Sequence, residues 1–108
     1  MLHLTDYTQQ FAKEIAISVK QEHINRGRQV ESDYCPIALA LRDVFPSAAT
    51  IHVGTEDISI QFDDDILLLV GSYKLPPEAI HFVAMFDHHG ANCVDPIDFS
   101  ARQITNGN

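Results

Sequence analysis

The sequence predicts an α+β domain, a mostly antiparallel sheet of four to five strands with two main helices packed on one face. Two observations carry this. Stretches opening at Pro36 and at Pro76-Pro77 repeat apolar residues at the helical period. Around them, short segments alternate apolar and polar residues at the period of a half-buried strand, with turn-forming residues in the links.

Taken in order, residues 1–14 are expected to be an N-terminal extension, with a short helix over 5–14 through Tyr7, Phe11 and on to Ile15. Ile15, Ile17 and Val19 alternate with Ala16 and Ser18 as a first strand. Gln21 to Gly27 reads as one helical turn, stopped by a glycine able to take positive φ, and Arg28 to Asp33 as polar loop. Pro36 suits the first position of a helix because its missing N–H would lack a partner there anyway. Cys35 before it avoids the helical region and takes the N-cap. Ile37, Leu41, Val44 and Phe45 share the buried face of that helix, Ala38, Leu39 and Ala40 widen it, and Pro46 ends it.

Three strands are then expected: Ala49 to Val53, Ile58 to Phe62 and Ile66 to Tyr73, linked as a meander through Gly54 and the turn Asp63-Asp64-Asp65. In the second helix Ala79, Phe82, Val83 and Phe86 form the apolar face, Glu78 suits the positive N-terminal end, and Gly90 is the expected C-terminal stop. Ile97, Phe99 and Ala101 mark a last strand, and 105–108 a loose tail.

At 108 residues, 45% of them hydrophobic, the chain makes a single domain, 1–108, with core enough to fold without disulfides or metal. Seven basic against fifteen acidic residues give a net charge of −8. That argues against generic nucleic acid binding, which needs Lys and Arg to displace counterions. A protein partner with a basic surface is easier to accommodate. Met1 to Asp6 carries no basic or apolar region of a signal peptide, and the apolar run Ile66 to Val70 is far shorter than a membrane span. The expectation is a cytoplasmic protein, monomer or homodimer, with no membrane partner and no cofactor.

Three groups of residues could carry chemistry. Cys35 at a helix N-terminus faces the positive end of the helix dipole, which favours thiolate, and His23 or His81 could shuttle its proton. A buried structural cysteine is the plainer alternative. His88, His89 and Cys93 are metal-ligand types within a short span. Adjacent histidines on a helix diverge by about 100°, and histidines in a last turn also suit the negative helix end. Asp57, Asp63, Asp64 and Asp65 form an acidic sheet edge for a basic partner, without the spacing of a calcium loop. Lys20, Arg26 and Arg28, the one basic cluster, read as solvated loop.

Glu22-His23-Ile24 with Gly27, then Cys35-Pro36-Ile37-Ala38-Leu39-Ala40, Tyr73 with Leu75-Pro76, Phe86-Asp87, and Pro96 with Phe99 occur here in this order. In this the chain resembles a family of small uncharacterised proteins of bacteriophages and bacterial mobile elements, over residues 15 to 100. It departs from that pattern at His88-His89 and Ala91-Asn92-Cys93. The resemblance implies no activity. It implies a setting: a phage or mobile-element gene acting inside a bacterium, where small acidic proteins bind and block host proteins, as in counter-defence or anti-CRISPR inhibition. The expected function is therefore a non-enzymatic interaction module. A Cys35 thiol enzyme and a metal module at His88, His89 and Cys93 are the alternatives.

Overall fold

The computed structural model describes residues 13–63 and 68–104, without the side chains of 68–70. The strands are β1 (Glu14–Val19), β2 (Thr50–Val53), β3 (Asp57–Asp63), β4 (Leu68–Lys74) and β5 (Ile97–Gln103). The helices are α1 (Gln21–Arg26), α2 (Pro36–Val44) and α3 (Pro77–His89), followed by a 3-10 turn at Ala91–Cys93. All pairings are antiparallel, in the order β1-β5-β4-β3-β2. The α+β architecture is the one expected, five strands with two main helices.

Alternation sorts the side chains of the sheet. Ile15, Ile17, Val19, Ile51, Val53, Ile58, Ile60, Phe62, Tyr73, Phe99 and Ala101 are all buried on one face. Directly paired residues point the same way, and the registers Ile17↔Phe99, Ile51↔Ile60 and Ile58↔Tyr73 join these into one apolar floor. From α2, Ile37, Ala38, Ala40 and Leu41 pack into the same core, and from α3, Ala79, Phe82, Val83 and Phe86 do so. Each large side chain fully buried here contributes roughly 1.5–3 kcal/mol.

Local chemistry sets the helix ends. Cys35 is extended (φ −70°, ψ 164°), Pro36 takes the first helical position, and the Leu39 N–H donates to the Cys35 carbonyl at 3.0 Å. Pro76 and Pro77 open α3 in the same way. Gly90, with φ 88°, ends it in a conformation that disfavours side chains.

Four expectations are corrected. Gly27 has φ −67°, so it is needed for space and not for positive φ. A Cβ there would lie 2.6 Å from Cδ of Pro36. Val44 is 44% exposed, because the chain leaves the helix at Phe45, and Phe45 turns into the core edge-on to Phe62, centroids 6.1 Å apart. Ala49 is an exposed bend before β2, with Ala48 buried in its place. Glu14 belongs to β1, and the Gln103 N–H donates to the Lys13 carbonyl at 2.7 Å, so the sheet reaches into the expected extension. Lys13 and Glu14, the end of the helix expected over 5–14, are a bend and the start of β1; residues 1–12 of that helix and extension, and the tail 105–108, lie outside the described residues.

The two edges of the sheet differ. β2 is four residues long, and the Val53 N–H on its outer side donates to the Ser32 carbonyl at 3.0 Å. β1 is six residues long and pairs only with β5 among the described residues.

Candidate functional site

Cys35 lies at the wall of a hollow of about 170 Å³ between the 30–35 loop, the β2 end and α3, together with Val30, Val53, Val83 and Asp87. It is 6% exposed. Burial is the strongest influence on its thiol and pushes the pKa from 9.0 up to about 11. The N–H groups of Ala38 and Ile37 at the start of α2 pull it down by less, and the Asp87 carboxylate pushes it up again. The helix end acts in the direction expected, but desolvation wins, so the thiol stays protonated at neutral pH. No histidine lines this hollow among the described residues.

The loop above it is tied to the end of α3. Val30 is a β-branched residue at φ 59°, a strained conformation. Its N–H donates to Asp87 Oδ1 at 3.0 Å, and Gln29 Nε2 donates to the Asp87 carbonyl at 3.2 Å. Asp87 therefore serves the loop backbone.

His23 is 2% exposed and fully engaged. The Lys20 N–H donates to its Nδ1 at 2.9 Å. With Nδ1 accepting, the ring proton sits on Nε2 and is donated to Asp43 Oδ2 at 2.7 Å. Lys20 is the N-cap of α1 and His23 its third residue. His23 thus forms the backward-reaching half of a capping box, in the place usually held by Glu or Gln. Its other nitrogen pins α1 to the last turn of α2. Sequence reasoning named His23 only as a proton shuttle and missed Asp43. Neither Lys at the N-cap nor His three residues on matches the residue types of a capping box, and Asp43 is brought in by tertiary packing.

Among the described residues, Glu22, His23 and Asp43 are the one group of three metal-ligand types whose ligand atoms all lie within 4.8 Å of one another. The hydrogen bonds do not suit an ion. A cation on Nε2 would displace the proton held there while Nδ1 still faced the Lys20 N–H, so the ring would have to become an imidazolate or lose its cap. His88, His89 and Cys93 do not form such a group. The two rings stand in the last turn of α3 with centroids 6.3 Å apart, and Cys93 is exposed beyond Gly90. Cys93 instead shares a hollow of about 360 Å³ with His81, Phe82 and Met85. His81 is an exposed residue of α3 and stands apart from the Cys35 hollow.

Asp57 and Asp63 are the two ends of β3, which has neighbours on both sides. They share the outer face of the sheet, about 20 Å apart at the rise of a strand, rather than an edge strand. Asp64 and Asp65 lie outside the described residues. That outer face carries Glu14, Ala16, Ser18, Thr50, His52, Asp57, Ser59, Gln61, Asp63, Ser72, Lys74, Asp98, Ser100 and Arg102, all exposed or half-buried. The register aligns Asp57, Lys74, Arg102 and Glu14 in one row across four strands, with the two cations inside and the carboxylates outside. Asp98 accepts a hydrogen bond from Ser18 Oγ at 2.6 Å, and Asp63 faces Leu68. Among the described residues, neither carboxylate has a cation opposite it.

Fold and sites together define an α+β module with one sheet face that no described helix covers, whose buried thiol and histidine are built into its framework. No family model, curated protein or solved structure matches the chain. No described helix is long and apolar enough to cross a membrane.

Proposed function

We propose that this protein is a non-enzymatic interaction module that presents the outer face of its sheet to a protein with a basic surface. The observation that carries this reading is the face itself: five strands wide, free of helices among the described residues, and set with small side chains at Ala16, Ser18, Ser59, Ser72 and Ser100. Small side chains leave a flat surface that a partner approaches closely. Asp63 and Asp98 supply charge that no described cation opposite them offsets, and Asp64 and Asp65 follow Asp63 in the sequence. The net charge of −8 steers a basic partner toward the molecule. Thiol catalysis has less support, because Cys35 is held protonated and buried.

The resemblance to phage and mobile-element proteins supplies the setting. The partner is then a bacterial host protein, and blocking a nucleic-acid-handling defence enzyme is a role that such a surface suits. The test is capture from bacterial lysate at moderate salt, with the parent and with Asp63→Lys/Asp98→Lys side by side. The parent is expected to retain one partner in stoichiometric amount and release it as salt rises. The charge-reversed variant is expected to melt like the parent and retain at least about tenfold less, a loss of 1.4 kcal/mol or more. Equal retention by both removes this face from the account.

A further inference from the structure

We infer that the open edge of β1 pairs with β1 of a second copy, antiparallel and centred on Ile17, to make one continuous sheet across two molecules. The backbone sets which groups are offered. Hydrogen-bonded and non-bonded pairs alternate along an antiparallel ladder. The Gln103 N–H on the Lys13 carbonyl fixes the phase, so residues 15, 17 and 19 bond to β5. The N–H and C=O of Glu14, Ala16 and Ser18 therefore point outward, and among the described residues no backbone group accepts or donates to them.

Among the described residues, the edge lacks the usual protections. It holds no proline, no bulge and no inward-pointing charge, and it is longer than β2, whose outer N–H is closed by Ser32. The segment Lys13 to Lys20 also carries two lysines against one glutamate, so this edge is locally basic within a chain of net charge −8. Repulsion between two acidic copies is therefore weakest here.

Register follows from the same residues. With Ile17 facing its own copy on the two-fold axis, Ala16 stands opposite Ser18 of the second molecule, and each such pair exchanges both backbone bonds. Glu14 then faces Lys20 of the second molecule at both ends. Lys20 is still extended (φ −95°, ψ 167°), but its N–H is bound by His23 and its carbonyl by the His23 and Ile24 N–H groups. Backbone pairing stops there, and its side chain alone meets Glu14. A register centred on Ala16 would place Glu14 opposite Ser18 and leave Lys20 without this partner. Outer faces match outer faces in the chosen register, so the dimer doubles the uncovered surface.

Sedimentation of the full chain across protein concentration tests this, with no other protein present, so its outcome is separate from that of the proposed partner binding. A reversible dimer is expected. Ala16→Pro removes an N–H that the monomer does not use, which an edge strand tolerates. It is expected to weaken dimerisation by at least about tenfold, from two lost hydrogen bonds per dimer, with the fold intact by circular dichroism. Glu14→Lys and Lys20→Glu are each expected to weaken it several-fold, and the two together in one chain to restore it. A monomer at all concentrations to about 1 mM overturns the inference and leaves the edge to residues 1–12 or to another protein's strand. A dimer that survives Ala16→Pro, or that the charge exchange does not restore, overturns it equally.

Discussion

On the inner face of the sheet, Ile17, Ile51, Ile58, Ile60 and Tyr73 are almost completely buried beneath the helices, while the residues that alternate with them include exposed Ala16, Ser18 and Ser100 and half-buried Ser59 and Ser72. The same backbone thus carries two surfaces with different selection on size. Inside, volume is fixed by close packing, so each side chain matches its neighbours. Outside, nothing in the fold demands small residues. The long polar side chains common on solvated sheets would serve stability as well; on the proposed function, the small ones leave room for a partner.

Cutting into each face separately gives the largest contrast. Ile60→Ala is expected to cost about 2–5 kcal/mol in denaturant titration. Ser59→Ala, its neighbour in β3 on the other face, is expected to stay within about 0.5 kcal/mol. Similar losses at the two positions would break the comparison.

His23 tests whether the polar framework belongs with the inner face. His23→Ala leaves the Lys20 N–H and a carboxylate oxygen of Asp43 without their partner, and about 1–3 kcal/mol of stability is expected to go. His23→Gln keeps an acceptor for the Lys20 N–H, as in an ordinary capping box, and is expected to lose less. Nitrogen NMR shifts of the ring are expected to show the proton on Nε2. A proton on Nδ1 would contradict the assignment and reopen the metal reading of Glu22, His23 and Asp43.

Cys35 makes the stability of the inner face depend on pH. Its folded pKa, about 11, lies above the ordinary 9.0, so the thiol ionises more easily in the unfolded chain. Its contribution is fully present below pH 9 and is lost as pH rises through about 11. Stability is expected to fall across that window by about 3 kcal/mol at most, and Cys35→Ala to flatten the fall. Burial raises Tyr73 as well, so a smaller decline is expected to remain above pH 10. Alkylation of Cys35 at neutral pH is expected only on unfolding. Reaction faster than a free thiol would return it to the list of active groups.

A small gain is expected at Val30, which is 77% exposed with φ 59°. Val30→Gly removes the strain and is expected to raise stability by up to about 1 kcal/mol, after the entropy lost with glycine.

Much of the inner face was legible in the sequence because alternation and proline are local signals. Ile58, Ile60 and Phe62 announced β3, and Pro36 and Pro77 announced their helices. Positions where the chain changes direction were not legible. Val44 and Phe45 both fit the helical face, and only the exit of the chain at Phe45 decides which is buried. Gly27 signalled a special backbone, but its reason is the approach of Pro36, nine residues on. The site was less legible still. A helix N-terminus suggested an activated thiol at Cys35, yet burial, which opposes ionisation, depends on what packs around it. His23 and Asp43 meet only once α1 and α2 have packed, and the row Asp57, Lys74, Arg102 and Glu14 exists only in the registers of three strand pairs.

The most direct test of the central claim, that the outer face is kept small and open for a partner, is Ser100→Arg. This change places a long side chain in the middle of β5 without touching the core. The expected result is a melting temperature equal to that of the parent and loss of the protein captured by the parent from bacterial lysate. Capture at the parental level by a normally folded Ser100→Arg protein would contradict it.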